Sequence, residues 1–380
     1  MVIGMNDNTQ RTPIESLTIT GFKSIRRCMY LTLNPKLNIF IGANGSGKSN
    51  LIDFFRMLRS FTEESFQSFI NQSGSADGFF YLGPKQTPKI TGSVRFKDNS
   101  YSFELEPTAI GAIQFASETP HYKEFGKSLG KGHLESKLKL VRDAKAVDGS
   151  GKPGVAHYVY KAVSSWTVYH VHDTSRLAGM RREGPSYDHD ILRDDARNLA
   201  AFLCKLSKDY SSSYTQIVDA IRLIAPYFDD FVFRPITRGQ DELLKLEWTQ
   251  KGSDFPFQSY HLSDGTIRFI ALVTALLQPD ETLPSTVLID EPELGLHPFA
   301  ISIFAEVVKS ACMRTQLLIA TQSPQLISNF KPAALVTVNR VDGATVFERQ
   351  KEEDLAVWLE DYNVGELWQK NVIEGGPTRG

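Results

Sequence analysis

Residues 42–49 constrain the fold of this chain more than any other stretch, because they read Gly-x-x-x-x-Gly-Lys-Ser. A short apolar run at 39–41 precedes them, and apolar residues at helical spacing follow, namely Leu51, Phe54, Phe55 and Leu58. A strand, a glycine-rich turn and a helix form the context in which this motif binds phosphate. The alternative is a turn that merely joins a strand to a helix, but every motif position is matched in the required context. The pattern therefore predicts that the chain binds a nucleoside triphosphate.

The residue types of this segment explain the expected chemistry. Its glycines can take positive φ, so the backbone can close around an anion without a Cβ clash. The loop amides and the N-terminus of the following helix then point at phosphate oxygens. Lys48 is expected to reach the β- and γ-phosphates, and the Ser49 hydroxyl to bind Mg²⁺. The predicted ATP-binding residues here are Gly42, Ala43, Asn44, Gly45, Ser46, Gly47, Lys48, Ser49 and Asn50.

Composition narrows the class of protein. A chain of 380 residues exceeds the usual single core, so one large domain with a lobe, or two domains, is expected. The formal net charge of −2 argues against a generally basic nucleic-acid coat but leaves room for a local basic patch. The three cysteines lie far apart and without metal spacing, which is typical of reduced thiols in a cytoplasmic protein. No apolar stretch approaches the ~20 residues that span a bilayer. We expect no membrane partner.

A second chemistry-bearing element ends the apolar run at 286–289. Asp290 stands where a strand-end aspartate binds Mg²⁺ in nucleotide-hydrolysing proteins. Glu291 follows it and is a candidate general base that polarises the attacking water. The alternative is a plain turn with two carboxylates, which the upstream phosphate motif disfavours. After residue 285, strands and helices alternate, which predicts an α/β sheet.

The stretch Leu-Ser-Asp-Gly-Thr at 262–266 has two readings. Taken alone it is a helix cap, with Ser263 as the N-cap residue. The chain thus carries the phosphate-binding motif, then this stretch, then the apolar strand that ends in Asp-Glu. This order of motifs resembles that of the ABC-type ATPases. The opening ITGFKSI and the later ATQSP resemble the RecF and SMC branch. The stretches HDTS, APYFDDFV, LSDGTIRF, DEPELGLHP and WLEDYNVGELW resemble a bacterial family of small stand-alone ATPases, close to the overcoming-lysogenisation-defect group, over nearly the whole chain.

This resemblance implies a fold and a domain order. The fold class is α/β: an ABC-type ATPase head with a mixed sheet, a phosphate-loop core and an inserted α/β lobe. We expect a flexible leader at 1–13, the N-terminal half of the head at 14–110, the inserted lobe at 111–230 and the C-terminal half at 231–380.

The resemblance also implies a head-to-tail homodimer with two ATP molecules sandwiched at the interface. Ser263, Asp264 and Gly265 of one protomer are expected to cap the γ-phosphate held by the other, with the positive end of a helix dipole behind them. Asp290 and Ser49 are the expected Mg²⁺ ligands. The candidate catalytic residues are Glu291, Lys48 and Gln322. The loop at 295–297 is expected to cross the same interface.

Several positions depart from the family pattern or leave alternatives open. The switch position, usually histidine, is Gln322, which cannot carry a proton, so hydrolysis is expected to be slow. Gln72 and Gln86 are both candidates for the metal-contacting glutamine that follows the loop in the family. Lys23 either lies near the nucleotide or is a surface lysine. His170, His172 and Asp173 admit a metal site, or a packing or interface role, which the family match favours.

The sequence thus predicts an ATP-hydrolysing switch that dimerises on ATP and controls DNA or a separately encoded effector protein. Related nucleases carry a Toprim domain after the head, so a nuclease working with this chain is expected to be a separate polypeptide. Bacterial anti-phage defence and DNA repair are settings that follow by analogy alone. The basic stretch 121–145 and the loop from Arg176 to Arg182 are the expected contact surface. The alternatives are a nucleotide-dependent scaffold without meaningful turnover and a transporter's nucleotide-binding subunit, against which LSDGT in place of LSGGQ counts.

Overall fold

A computed structural model describes residues 12–144 and 152–373, so all but the last two residues of the predicted leader lie outside it. The strands are β1 (Ser16–Phe22), β2 (Ile25–Thr32), β3 (Leu37–Ile41), β4 (Ile90–Phe96), β5 (Asn99–Pro107), β6 (Ile113–Tyr122), β7 (Phe125–Gly126), β8 (Trp166–Tyr169), β9 (Gly184–Pro185), β10 (Phe228–Val232), β11 (Ile236–Arg238), β12 (Asp241–Leu244), β13 (Glu247–Gln250), β14 (Phe257–Gln258), β15 (Thr286–Asp290), β16 (Gln316–Thr321), β17 (Leu335–Val341) and β18 (Ala344–Arg349). The α-helices are α1 (Lys48–Glu63), α2 (Phe66–Gln72), α3 (Leu138–Val141), α4 (Val155–Ser164), α5 (Leu199–Asp209), α6 (Ser211–Ile224), α7 (Asp264–Leu277), α8 (Pro298–Ala311), α9 (Pro324–Ile327), α10 (Glu352–Leu355) and α11 (Val364–Gln369).

The chain divides into two compact units, and each is assembled from three stretches of sequence. The first unit comprises Met1–Lys36, Asn44–Trp166 and Val338–Glu348. The second comprises Leu37–Ala43, Thr167–Thr337 and Arg349–Gly380. The phosphate loop, residues 42–49, therefore begins in the second unit and continues in the first.

An antiparallel sheet organises the first unit, with the strand order β2-β1-β4-β5-β6-β7. Along β1, buried Leu17 and Ile19 alternate with half-buried Thr18 and Thr20, as the period-2 pattern predicts. β4 and β5 form an antiparallel hairpin, in which Phe96 pairs with Asn99 across the turn.

Aromatic rings fill the space between this sheet and α1. The Phe61 ring lies 4.9 Å from Phe66, 5.2 Å from Phe103 and 4.9 Å from Phe115, measured between centroids, and all are edge-to-face contacts. Edge-to-face pairs of this kind add about 0.5–1.5 kcal/mol each beyond the burial of their area. The helix that carries the phosphate loop is thereby fixed on the sheet.

Phe61→Ala is expected to destabilise the fold by about 3–5 kcal/mol, because a fully buried ring leaves a cavity that its neighbours fill only in part. The measurement is the urea midpoint of unfolding, followed by circular dichroism. Phe125→Ala is the matched control: this ring is 80% exposed on the same sheet, and its loss should change stability by at most about 0.5 kcal/mol. Equal shifts for the two variants would contradict the role given to the ring cluster.

Parallel strands organise the second unit. β3 pairs in parallel with β16 on one side and, through Leu335–Thr337, with β17 on the other, and β16 pairs in parallel with β15. Every residue of β3, β15 and β16 is buried, which is typical of a parallel sheet covered on both faces. The succession β15-α8-β16-α9-β17 confirms the α/β alternation that the sequence predicts after residue 285.

Two helix starts in the second unit match the sequence. Ser263 caps α7, since its Oγ accepts a hydrogen bond from the Thr266 amide at 3.1 Å. Pro298 opens α8 in the favoured first-turn position. Within residues 12–144 and 152–373, no helix is both long and apolar enough to cross a bilayer.

Candidate active site

The phosphate loop leaves β3 at Ile41 and enters α1 at Lys48. Gly45 and Gly47 have φ angles of 78° and 109°, the positive values that the sequence predicts for this turn, whereas Gly42 keeps a conformation open to other residues. A Cβ added to Gly47 would overlap the Oγ atoms of Thr345 and Ser24, while one added to Gly45 would meet open space. Gly47 is therefore required both for its backbone angle and for its lack of a side chain.

Three side chains remote in sequence hold the loop from outside. Thr345 donates from Oγ1 to the Ser46 carbonyl oxygen at 2.8 Å. The Ser24 Oγ lies 2.6 Å from the Thr345 Oγ1 and accepts a bond from the Asn50 side-chain amide. The Arg340 guanidinium lies 3.5 Å from the Gly45 carbonyl oxygen. Sequence reasoning missed the contact between Ser24 and Thr345, because Thr345 belongs to no motif and lies 321 positions from Ser24.

At the end of the loop, Lys48 is 4% exposed at the first position of α1, and Ser49 is exposed. The first unit also contains a cavity of about 500 Å³. Its lining includes Lys23, Asn50 and Phe79. The Lys23 ammonium pairs with Asp53 at 2.6 Å and lies 5.2 Å from the centre of the Phe79 ring. Lys23 is thus part of a cavity wall in the first unit, and its place near the nucleotide stays a prediction.

In the second unit, the carboxyl ends of β3, β16 and β15 meet at one edge of the sheet. Ile41 pairs with Thr321, and Ala320 pairs with Asp290, so the start of the phosphate loop, Gln322 and the Asp-Glu pair follow neighbouring strands. We call residues 290–295 the acidic turn. Functional residues of parallel sheets concentrate at this edge. The structure thus brings together elements that the sequence could place only one by one.

Glu291 has an unusual backbone in the acidic turn. Its φ angle is 45°, which costs a non-glycine residue about 1–3 kcal/mol and is held by surrounding contacts. Its amide donates to the Ala320 carbonyl oxygen at 2.8 Å, and its Oε1 accepts from the Gln322 side-chain amide at 3.3 Å. Gln322, the predicted switch residue, therefore touches the predicted general base. Asp290, at the end of β15, is 6% exposed.

A third carboxylate, Glu293, contacts the backbone of Gln322 and was missed by sequence reasoning. Its Oε1 accepts one hydrogen bond from the Thr321 hydroxyl at 2.6 Å and another from the backbone N–H of Gln322 at 3.0 Å. Burial raises the pKa of the Glu293 carboxyl, and the negative charge of Glu291 raises it further. Glu293 holds the backbone of Gln322 in place. Its position two residues after Glu291 was the only sequence signal.

Glu293→Gln is expected to make stability less sensitive to pH. Because the folded state raises the pKa of this carboxyl above its ordinary 4.5, its contribution to stability is fully present below pH 4.5 and is lost as pH rises through the folded pKa. Glutamine keeps an acceptor oxygen for both bonds but does not titrate. Between pH 5 and pH 8, the urea midpoint of unfolding of the variant should increase relative to that of the wild type as pH rises. Parallel curves would contradict this assignment.

The signature turn, residues 262–266, is held in the second unit by Arg181. Its guanidinium donates to the carbonyl oxygens of Ser259 and Leu262 and pairs with Asp264 at 2.8 Å. The Arg181 side chain is 5% exposed, so its assignment to a contact surface is wrong. Arg176 and Arg182 are exposed, and for them that assignment stays a prediction, as it does for residues 121–145.

The signature turn also touches the acidic turn. A Cβ on Gly265 would overlap the Gly295 carbonyl oxygen, so only glycine permits this approach. His172 contacts the same region, since its Nε2 donates to the Asp290 carbonyl oxygen at 2.9 Å, and its ring lies 4.2 Å from that of His170. Among the described residues no group of three or more histidine, cysteine or acidic side chains could hold a metal ion. The packing or interface role of these histidines stays a prediction. Gln72 and Gln86 are both exposed.

Comparison with known proteins agrees with this geometry. Residues 37–328 match the profile of the family described as "AAA domain, putative AbiEii toxin, Type IV TA system". The chromosome partition protein Smc of Mycobacterium tuberculosis is 26% identical over 147 residues, which are 37% of this chain and 12% of that one. The DNA replication and repair protein RecF of Streptococcus pneumoniae is 24% identical over 140 residues, 36% of this chain and 34% of that one. The matched part thus spans a minor share of either relative.

Solved structures share the fold. A crystal structure of an Smc head bound to the C-terminal winged-helix domain of ScpA superposes with a TM-score of 0.57 at 13% identity, covering 90% of this chain and 99% of that one. An Smc head with an extended coiled coil, bound to the C-terminal domain of ScpA from Pyrococcus furiosus, gives 0.54 at 13% identity, covering 92% and 99%. The predicted fold class, the α/β head of SMC-like ATPases, is confirmed.

Proposed function

Because this chain belongs to the AAA-domain family that matches residues 37–328 and is an ABC-type ATPase of the RecF- and SMC-like kind, we propose that it hydrolyses ATP and uses the cycle as a switch. One observation carries the proposal. The start of the phosphate loop, the Asp290–Glu291 pair and Gln322 follow adjacent parallel strands at one edge of the second unit's sheet. Hydrolysis of a bound triphosphate needs both a phosphate-binding loop and a carboxylate base, and the strands that lead into these two elements belong to one sheet.

Each residue has a proposed task. The amides of the phosphate loop and Lys48 bind the triphosphate of ATP. Ser49 and Asp290 offer the hydroxyl and carboxylate oxygens that Mg²⁺ prefers, and the ion, when bound, neutralises phosphate charge. Glu291 orients the attacking water and accepts its proton. Gln322, hydrogen-bonded to Glu291, fixes the carboxylate but carries no proton itself.

The signature turn has a proposed task in a second copy of the chain. Ser263 is exposed at the N-terminus of the 14-residue helix α7, where the helix dipole places partial positive charge. We propose that it caps the γ-phosphate held by the partner protomer. Since ATP then binds the dimer better than the monomer, ATP shifts the equilibrium toward the dimer, and hydrolysis reverses the shift.

The switch is proposed to act on DNA or on a separately encoded effector protein. The support is indirect: the matched relatives are named for chromosome partition and for DNA replication and repair, and the similar Smc heads are bound to ScpA domains. A cytoplasmic role in bacterial anti-phage defence or in DNA repair fits this proposal.

The first test is solution mass by light scattering, with and without Mg-ATP. Wild type is expected to shift from monomer toward dimer, and Glu291→Gln to shift further because its bound ATP persists. Ser263→Arg should stay monomeric, since a bulky side chain blocks the turn. Phosphate release measured on the same samples separates the alternatives: a dimer that forms without releasing phosphate would indicate a scaffold. A mass indifferent to ATP in all three proteins would contradict the proposed switch.

A further inference from the structure

A buried arginine joins the signature turn to the acidic turn inside one protomer. Arg268, in the first turns of α7, is 8% exposed. Its Nε donates to the Val171 carbonyl oxygen at 2.9 Å, its Nη2 donates to the His172 carbonyl oxygen at 2.8 Å, and its Nη1 donates to the Leu294 carbonyl oxygen. All three nitrogens of the guanidinium are thus bound to backbone, and one planar group fixes two separate chain segments relative to α7.

His172 extends this connection to the residue before the general base. Its carbonyl oxygen accepts from Arg268, and its ring Nε2 donates to the Asp290 carbonyl oxygen at 2.9 Å. Asp290 and Glu291 share the peptide that this carbonyl belongs to. A shift of the Arg268 guanidinium therefore acts on Glu291 from two sides, through His172 before it and through Leu294 after it.

The residues that connect the signature turn to Glu291 are closely packed. Gly265 in the signature turn packs so closely on Gly295 that no Cβ fits between them. Arg181 also holds the signature turn, through Leu262 and Asp264. The turn is thus held both by the acidic turn and by Arg181, and densely packed groups move together or not at all.

The receiving end is a strained element that its neighbours must hold. The positive φ of Glu291 is unfavourable for a residue with a side chain, so its population depends on the contacts around it. Because these contacts hold the backbone of Glu291, a change in them alters the orientation of its carboxylate.

We propose that Arg268 and His172 are positioning residues that relay engagement of the signature turn to Glu291 of the same protomer. This inference rests on the proposed function, in which the signature turn caps the partner's nucleotide while Glu291 acts on the protomer's own. Through this relay, ATP bound in one site of the dimer determines the orientation of the Glu291 carboxylate in the other site. The two sites are therefore coupled.

In a competing hypothesis, Arg268 affects hydrolysis of the partner's nucleotide and not hydrolysis in its own protomer. If it only shapes the signature turn, its loss harms hydrolysis of the partner's nucleotide and spares the base of its own protomer. The two roles can be separated by mixing subunits before ATP is added, with one variant in trace amount and another in large excess. Each trace protomer then sits in a mixed dimer, and the excess protomers carry Glu291→Gln, so only the trace protomer hydrolyses ATP.

The readout is the rate of the first phosphate release per trace protomer, relative to trace wild type in excess Glu291→Gln. Trace Arg268→Met in excess Glu291→Gln should be slower by about tenfold, a usual size for coupling between sites. Trace wild type in excess Arg268→Met/Glu291→Gln should match the reference within about twofold, a small part of that coupling. The reverse pattern, or equal slowing in both mixtures, would overturn the relay.

Two further variants guard against loss of folding. His172→Leu removes the donor to the Asp290 carbonyl from a half-buried position and should reproduce the pattern of Arg268→Met, whereas His172→Gln, which keeps a donor, should restore the rate at least in part. Arg222→Met is the matched control, because Arg222 also donates to a backbone carbonyl, that of Asp229, on another helix. It should leave both mixtures unchanged. Failure of both His172 predictions would overturn the relay even where Arg268→Met is unfolded.

Failure of the proposed function has a different signature in the same experiment. If protomers do not assemble around ATP, excess Glu291→Gln leaves the rate of dilute wild type where it was without any partner. That result would overturn the switch and the relay together, whereas a reversed pattern in assembled dimers overturns the relay alone.

Discussion

Glu291→Gln is expected to slow steady-state ATP hydrolysis by about 10²–10⁴-fold, the usual loss when a positioned general base is removed. The side chains have the same shape, and glutamine can still contact the Gln322 amide that lies 3.3 Å from Oε1. The carboxylate that takes the proton from water is lost, while the groups that bind phosphate are untouched. Affinity for ATP should therefore persist. Measuring phosphate release alongside equilibrium binding of a fluorescent ATP analogue separates the two effects.

Glu306→Gln is the matched control for that variant. Glu306 lies on α8, where its side chain is 66% exposed and pairs with Lys309. Its turnover should equal that of the wild type. If Glu291→Gln hydrolysed ATP as fast as Glu306→Gln does, another group would be the base, and the strained backbone of Glu291 would need a different explanation.

Gly47→Ala is expected to weaken ATP binding by roughly 30-fold to several thousand-fold. The positive φ costs an L-residue about 1–2 kcal/mol, and forcing a methyl group into the space between Thr345 and Ser24 costs about 1–3 kcal/mol more. A loop relieved of that strain no longer presents its amides to phosphate, so the cost appears in affinity at tenfold per 1.4 kcal/mol. Titration calorimetry with ATP measures it.

Gly45→Ala provides the comparison within the same loop. Its φ of 78° is also positive, but nothing lies within 4 Å of an added Cβ. Only the backbone cost remains, so affinity should fall by about 5- to 30-fold. Should both variants lose affinity equally, the contact of the loop with Thr345 and Ser24 would not determine its shape.

The features that could be predicted from sequence depend on neighbouring residues. Three helix starts are determined by a few neighbouring residues each, so the motif predicts the structure. They are the glycine-rich turn before Lys48, the Ser263 cap and Pro298. The buried run before Asp290 likewise identifies its own strand. The family resemblance then supplied the order in which these elements assemble.

The residues that sequence reasoning missed act over long separations. Thr345 supports the phosphate loop from the far end of the chain, and Glu293 holds Gln322 from a neighbouring strand end. Arg181 looked like a surface charge because three arginines stood within one loop, yet its guanidinium finds backbone carbonyl oxygens. No local pattern distinguishes an arginine that satisfies buried carbonyls from one that faces solvent. Tertiary contacts decide it.

The interleaving of the two units bears on how the protein is made. β3 leaves the ribosome early, but its partners lie in residues 316–321 and 335–337, so at about 5–20 residues per second they emerge roughly 15–55 s later. Until then the nascent chain exposes Leu-Asn-Ile-Phe-Ile, an uncharged segment of high β-propensity that prefers to pair with other chains. Chaperones that shield nascent chains should therefore govern the yield of this protein, and fragments ending before residue 316 should aggregate.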